Sequence, residues 1–244
     1  MVTEVPTDHR PRGLSYGTVR RRSPRPRTLA LDIGIAWIRG LVLDEQGWPM
    51  RPPHKSACER TPVPACPHAV LQAATALTAD VDPFDRVSVA FPGRICDGIV
   101  VQSQDLGSEW RGYPLGPSLA HCLHRPVRVA NATDIQGWGA IRGKGVEMIM
   151  TIGPRVRASL FLDGVLVPDV RIGSYRSRPA EQWSRRIVKL IAKLEKRFSY
   201  DRLYLGGPYA GAVRSAALPS NVNVVASFNA LRGGMALWQD REAW

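Results

Sequence analysis

The sequence lacks an apolar run of the roughly 18 residues that a membrane-crossing helix needs, so no membrane helix is expected. Its N-terminus lacks the apolar stretch of a secretory signal, and a cytoplasmic protein is expected. That end is rich in arginine, but Pro11, Pro24 and Pro26 interrupt the amphipathic helix of a mitochondrial presequence. Cysteine is scarce: Cys58, Cys66, Cys96 and Cys122 form no C-x-x-C pair, which removes the usual zinc and redox spacings and leaves reduced thiols as the reading. His9, His54, His68, His121 and His124 form no metal-spaced cluster, so no metal ligands are expected among them. No repeat of solenoid length is present.

What is present is an ordinary globular composition. Of 244 residues, 44% are hydrophobic and 22% charged, enough for one large domain or two lobes. Acidic residues are the minority, 21 against 33 Lys and Arg, and the net charge is +12. Such a surface attracts nucleic acid, polyphosphate or an acidic protein, and it is equally the composition of a plain solvated surface. Residues 1–27 stand apart. They hold Arg10, Arg12, Arg20, Arg21, Arg22, Arg25 and Arg27, with prolines and almost no aliphatic side chains. They cannot bury enough apolar surface to offset their ordering entropy and read as a disordered basic arm. The arm is either a polyanion-binding extension that works by counterion release or a flexible tail.

Order is expected from Thr28. Residues 28–34 and 38–43 read as a hairpin, 49–67 as an irregular Pro-rich stretch, and 68–80 as a helix. Strands follow at 86–91 and 99–102, a short helix at 114–123, a strand at 127–130 and a helix at 134–142. The second half begins with strands at 147–152, 159–162 and 165–167. Residues 180–198 carry Trp183, Ile187, Leu190, Ile191, Leu194 and Phe198 at helical spacing, with basic residues on the other faces. Strands at 202–205 and 222–226 and a helix at 229–238 complete an α/β pattern with mixed sheets and packed helices.

Several segments, in order, carry a resemblance. They are Leu31-Asp32-Ile33-Gly34; Phe91-Pro92-Gly93 with Asp97-Gly98; Pro126-Val127-Arg128-Val129-Ala130-Asn131; Phe161-Leu162-Asp163-Gly164; Leu203-Tyr204-Leu205-Gly206-Gly207; and Leu231-Arg232-Gly233-Gly234 through Trp238. The chain resembles the ROK family of sugar kinases, in particular its polyphosphate-glucokinase branch, over about residues 28–238. The resemblance implies the actin-like ATPase (ribonuclease H-like) architecture, two α/β lobes with mixed sheets and an interlobe cleft. It implies an N-terminal lobe of residues 28–131, completed by a C-terminal helix at 229–244, and a C-terminal lobe of residues 132–228.

The same resemblance assigns site positions, and most carry the wrong chemistry. In the first phosphate turn the family pattern Asp-x-Gly-Gly-Thr becomes Asp32-Ile33-Gly34-Ile35-Ala36, followed by Trp37 at a usually basic position. β-Branched Ile35 disfavours positive φ and close backbone approach. The catalytic Asn-Asp becomes Asn131-Ala132, and a methyl group accepts no proton. Asp134 is the nearest carboxylate, either a substitute base or a helix N-terminal acid. The Gly-Thr-Gly-x-Gly loop becomes Gly153-Pro154-Arg155-Val156-Arg157, in which Pro154 removes a donor while Arg155 and Arg157 retain anion affinity through side chains or form a solvated rim. The sugar clamp Glu-x-Gly-His becomes Arg171-Ile172-Gly173-Ser174. Gly206 and Gly207 of a further phosphate turn persist, and the family's Cys-rich zinc motif is absent.

These substitutions predict a catalytically degenerate homologue that binds a partner protein, a polyanion or a small ligand and needs no cofactor. The first alternative is an active sugar kinase with Asp134 or Asp32 as base, using magnesium with ATP or polyphosphate. The second is a nucleic-acid-binding regulator, for which only the arm speaks, because residues 1–27 are too short and Pro-rich for a winged helix-turn-helix. The family resemblance also raises the expectation of a homodimer.

Overall fold

The computed structural model describes residues 26–168, 170, 172, 175–176, 180–213, 218–226 and 228–239. The basic arm up to residue 25, Arg171, Ser174 and the last residues of the expected C-terminal helix lie outside the described residues.

Two sheets form the frame, and both begin with antiparallel hairpins and end in parallel strands. In the first, β1 (Thr28–Ile33) pairs antiparallel with β2 (Trp37–Leu43), and β2 with β3 (Ala57–Arg60). After α1 (Pro67–Leu77), β4 (Arg86–Phe91) lies parallel to β1. A small hairpin of β5 (Arg94–Cys96) and β6 (Ile99–Gln102) and the helix α2 (Leu115–Leu123) precede β7 (Val127–Asn131), which is parallel to β4. The order is β3-β2-β1-β4-β7. The carboxyl ends of the parallel strands therefore share one edge, where ligands bind in open α/β sheets.

Next come α3 (Ala132–Ala140) and the strands β8 (Val146–Ile152), β9 (Arg155–Leu162), β10 (Val165–Val167) and β11 (Tyr175–Arg176). The long helix α4 (Ala180–Phe198), β12 (Arg202–Gly206), β13 (Val222–Val224) and the short α5 (Phe228–Arg232) complete the elements, with a 3-10 segment at Gly233–Trp238. The second sheet runs β10-β9-β8-β12-β13, with β11 beside β9.

Alternation within the strands decides what each face covers. Leu29, Leu31, Ile33, Val87, Val89 and Phe91 bury one face of the first sheet against α1 and α2, and Ala30, Leu41 and Leu43 bury the other against Leu231 of α5. In the second sheet Met148, Met150 and Ile152 pack on Ile187, Leu190, Ile191 and Leu194 of α4. Ile149, Phe161 and Tyr204 turn the opposite way, toward Trp138 of α3. The basic residues of α4 from Arg185 to Arg197 are exposed. No helix among the described residues is long and apolar enough to cross a membrane.

Among the differences from the sequence expectation, three have a clear physical reason. The stretch 49–67 contains β3, an edge strand whose side chains are mostly exposed and so carry no apolar alternation. β9 begins at Arg155, because two charged residues on its cleft face hide its period. The helix expected at 229–238 ends at Arg232. There α3 and the C-terminal segment touch backbone to backbone: a Cβ at Gly233 would stand 1.7 Å from the Ile135 carbonyl oxygen, and one at Gly139 2.0 Å from that of Asn229.

Candidate functional site

The end of β7 delivers Asn131 to the start of α3. Its carboxamide oxygen accepts from the Thr133 amide at 2.8 Å, a helix N-cap, and its Nδ2 donates to the Gly93 carbonyl at 2.7 Å. Both ends of the side chain thus serve the fold. Ala132, the first residue of α3, presents a methyl group. One turn in, Asp134 is partly buried and accepts a hydrogen bond from Ser159 Oγ of β9 at 2.5 Å. Burial pushes the Asp134 carboxyl above its ordinary range, and the Ser159 hydrogen bond offsets only part of that.

The turn after β1, to which the resemblance assigns a phosphate, is held by its own hairpin. Asp32 and Arg39 are direct partners across β1 and β2, and Arg39 Nη2 donates to Asp32 Oδ2 at 2.9 Å. Burial raises the Asp32 carboxyl, with Arg39 pulling the other way. Gly34 is required by the turn itself, since a Cβ there would lie 2.8 Å from the Trp37 carbonyl oxygen. The turn exposes Ile35 (41%) and Trp37 (45%), and the Arg60 guanidinium stacks on the Trp37 ring. Ile35 and Ala36 carry no hydroxyl, and the Thr61 hydroxyl beside the turn donates to the Gly34 carbonyl at 2.8 Å.

The other glycine turns are filled by each other. Gly153 and Pro154 form the tight connection between β8 and β9, and a Cβ on Gly153 would meet the Pro208 ring at 3.7 Å. Gly206 makes room for the buried amide of Gln136, at 2.4 Å from such a Cβ. Gly207 holds φ +91 against the Ile152 backbone, whose carbonyl accepts from the Tyr209 amide. Close packing accounts for Gly206 and Gly207, whereas a Cβ at Gly153 would make only ordinary contact.

A cleft of about 860 Å³ opens between the β5–β6 hairpin, the start of α3 and the β9–β10 strands. It gathers Asn131, Asp134, Arg155 and Arg157 from the sequence-identified positions. Asp32, Gly34, Ala132, Gly153, Gly206 and Gly207 are not among its lining residues. Asp105, which the sequence did not single out, holds both arginines. Its Oδ1 accepts from Arg155 Nε at 2.8 Å and its Oδ2 from Arg157 Nη2. Asp105 follows β6 and the arginines belong to β9, so this contact ties the hairpin region of the first half to the second sheet. Side-chain exposures are 8% for Asp105, 22% for Arg155 and 29% for Arg157. Ser159 was missed for the same reason: both contacts bridge segments far apart in the chain, and no motif spacing encodes them.

No protein-family model matches the chain, and no curated protein does. Solved structures do match. The inorganic polyphosphate/ATP-glucomannokinase from Arthrobacter sp. strain KM superposes with a TM-score of 0.76 at 21% identity, over 88% of this chain and 100% of that one. A ROK family glucokinase from Streptomyces griseus, solved with glucose and AMPPNP, gives 0.67 at 16% identity over 86% and 98%. The chain has the ROK sugar-kinase fold. A ROK family transcriptional regulator, a homologue of the E. coli MLC protein, shares it with a TM-score of 0.60 at 14% identity, over 86% of this chain and 77% of that one. The ROK fold thus carries both kinases and a regulator, so the site residues rather than the architecture must decide what this chain does.

Proposed function

We propose that this ROK-fold chain acts by binding and does not transfer phosphoryl groups. The observation that carries the reading is Ala132. It stands at the start of α3, directly after the N-cap Asn131, where the family resemblance puts the proton-accepting aspartate. General-base catalysis contributes a factor of about 10² to 10⁴, and a methyl group supplies none of it. A magnesium–nucleotide or magnesium–polyphosphate complex does not fit the residues present. Asp32 is paired with Arg39, the neighbouring turn carries Ile35 and Trp37, Pro154 removes a backbone donor from the β8–β9 turn, and Gly207 is packed against the Ile152 backbone.

The test is a phosphotransferase assay with glucose and mannose as acceptors and ATP or polyphosphate as donor. The reading expects no turnover, and none from Ala132→Asp, because restoring the base leaves the phosphate turns blocked. Turnover at an ordinary enzymatic rate by the unaltered chain overturns it.

One observation favours a second reading. Asp134 lines the cleft with a carboxyl raised by burial, the environment that tunes a carboxylate toward proton transfer. A working kinase on this basis loses its turnover in Asp134→Asn; turnover unchanged by that substitution removes Asp134 as base.

A further inference from the structure

The outer face of α4 carries one sign of charge. Arg185, Arg186, Lys189, Lys193, Lys196 and Arg197 are all exposed. At about 3.6 residues per turn they fall within an arc of about 120°. The next arc holds Ile187, Leu190, Ile191 and Leu194, which are buried on the second sheet. Glu195, the single acid between Arg185 and Phe198, lies outside the basic arc. Arg185, Lys189, Lys193 and Arg197 follow each other at intervals of four, so each repels the next. Among the described residues none of the six has an ion-pair partner. The row works against the helix that carries it, and a polyanion laid along it would remove that repulsion.

The row runs about 18 Å along the helix, with about 6 Å between neighbours. Duplex nucleic acid carries one negative charge for about every 1.7 Å of its axis, so the row can meet several phosphates at once. Two other anionic partners fit less well. A helix that binds a lipid surface inserts an apolar face, and the apolar face of α4 is already buried in the core. A protein interface is anchored by aromatic and apolar side chains at its centre, and no large apolar side chain is exposed among the described residues of α4. Backbone phosphates ask only for cations within reach. The face also stands apart from the cleft, none of whose lining residues belongs to α4.

We propose that α4 is a nucleic-acid surface that grips the phosphate backbone of a duplex without reading its sequence. Arg185, Lys189, Lys193 and Arg197 track the backbone, and Arg186 and Lys196 flank them. Binding releases the counterions condensed on the phosphates, so its strength falls steeply with salt. The folded chain thus adds a basic surface of its own to the arginines of residues 1–27. This goes beyond the reading of the cleft above: it names a class of partner and places it on a different face.

The experiment is fluorescence anisotropy of the full chain with two labelled DNA duplexes of unrelated sequence across a range of salt. Both duplexes should bind alike, with a slope of log K against log salt steeper than about −3, the scale of four phosphate contacts. Lys189→Gln with Lys193→Gln should make the slope shallower by about 2 and weaken binding at least about tenfold at about 0.1 M salt. Arg185→Gln with Arg197→Gln should do the same from the ends of the row. All four positions are exposed and mutually repelling, so neither pair should lower the melting temperature; if one does, the other pair decides. Lys55→Gln with Arg111→Gln removes as much charge from exposed positions of the first half and should leave the slope within about 1 of the parent's. Failure to bind either duplex, or binding confined to one of them, overturns the proposal. So do α4 pairs that bind as the parent does, a control pair that loses as much as they do, or tighter binding of phosphatidylserine vesicles or polyglutamate at the same salt. Turnover in the phosphotransferase assay would remove the proposed function and leave this surface standing. A chain inert in both assays would do the reverse.

Discussion

Two carboxylates beside α3 are treated in opposite ways. Glu147, at the start of β8, is fully buried and accepts from the amides of Arg142, Gly143 and Lys144 and from the Tyr204 hydroxyl. Burial pushes its carboxyl up, but the donors outweigh burial and hold it below the ordinary range. Burial first, and the contact with Glu147 second, push the Tyr204 hydroxyl up to about 12. Among the described residues Asp134 has one side-chain donor, Ser159, and burial wins. Donor number decides which carboxylate is a structural anion and which keeps open acceptor sites toward the cleft.

The largest effect that would break this contrast is at Glu147. Glu147→Gln leaves three backbone amides facing a neutral, mismatched group and should cost about 3 kcal/mol in denaturant unfolding. A loss under about 1 kcal/mol would show that the donors are satisfied otherwise. The pH dependence follows from the same shifts. The folded pKa of Glu147 is depressed, so its contribution is present above the unfolded value and lost as pH falls through the folded one. Melting temperatures should therefore drop on the acid side, and Glu147→Gln should flatten that limb. For Asp134 the sign reverses. Its folded pKa is raised, so stability falls as pH rises from the unfolded value through the folded one. Asp134→Asn should remove that decline and change stability at neutral pH by less than about 1 kcal/mol, in the stabilising direction. A comparably small effect belongs to the β1–β2 hairpin, where Asp32 is largely shielded but its partner is not. Arg39 is substantially exposed, so Arg39→Gln should cost at most about 1 kcal/mol, and a much larger loss in melting experiments would place Asp32 among the structural anions with Glu147.

Much of the frame was legible because it is written in local pattern. The Asp32–Arg39 hairpin, the apolar strand from Arg86 to Phe91 and the period of α4 are each set by residues within one element. The Asn131-Ala132 pair was legible too, and it sits at the start of α3 with Asn131 as the N-cap. What escaped is non-local. Asp105 meets Arg155 across 50 residues of sequence, and Glu147 is held by backbone amides that no residue type announces. The glycines at 206, 207 and 233 were visible, but their close neighbours were not: Gln136, Ile152 and Ile135 leave no room for a side chain at these positions. Persistence of such glycines therefore speaks for the fold and is silent about the chemistry.

The most direct trial of the account is a single-turnover experiment. Excess purified chain is mixed with glucose and labelled ATP, and separately with polyphosphate, and glucose 6-phosphate is followed over time. The account predicts no product above the protein-free control in either mixture, for the parent and for Ala132→Asp alike. A product burst matching the amount of protein would contradict it.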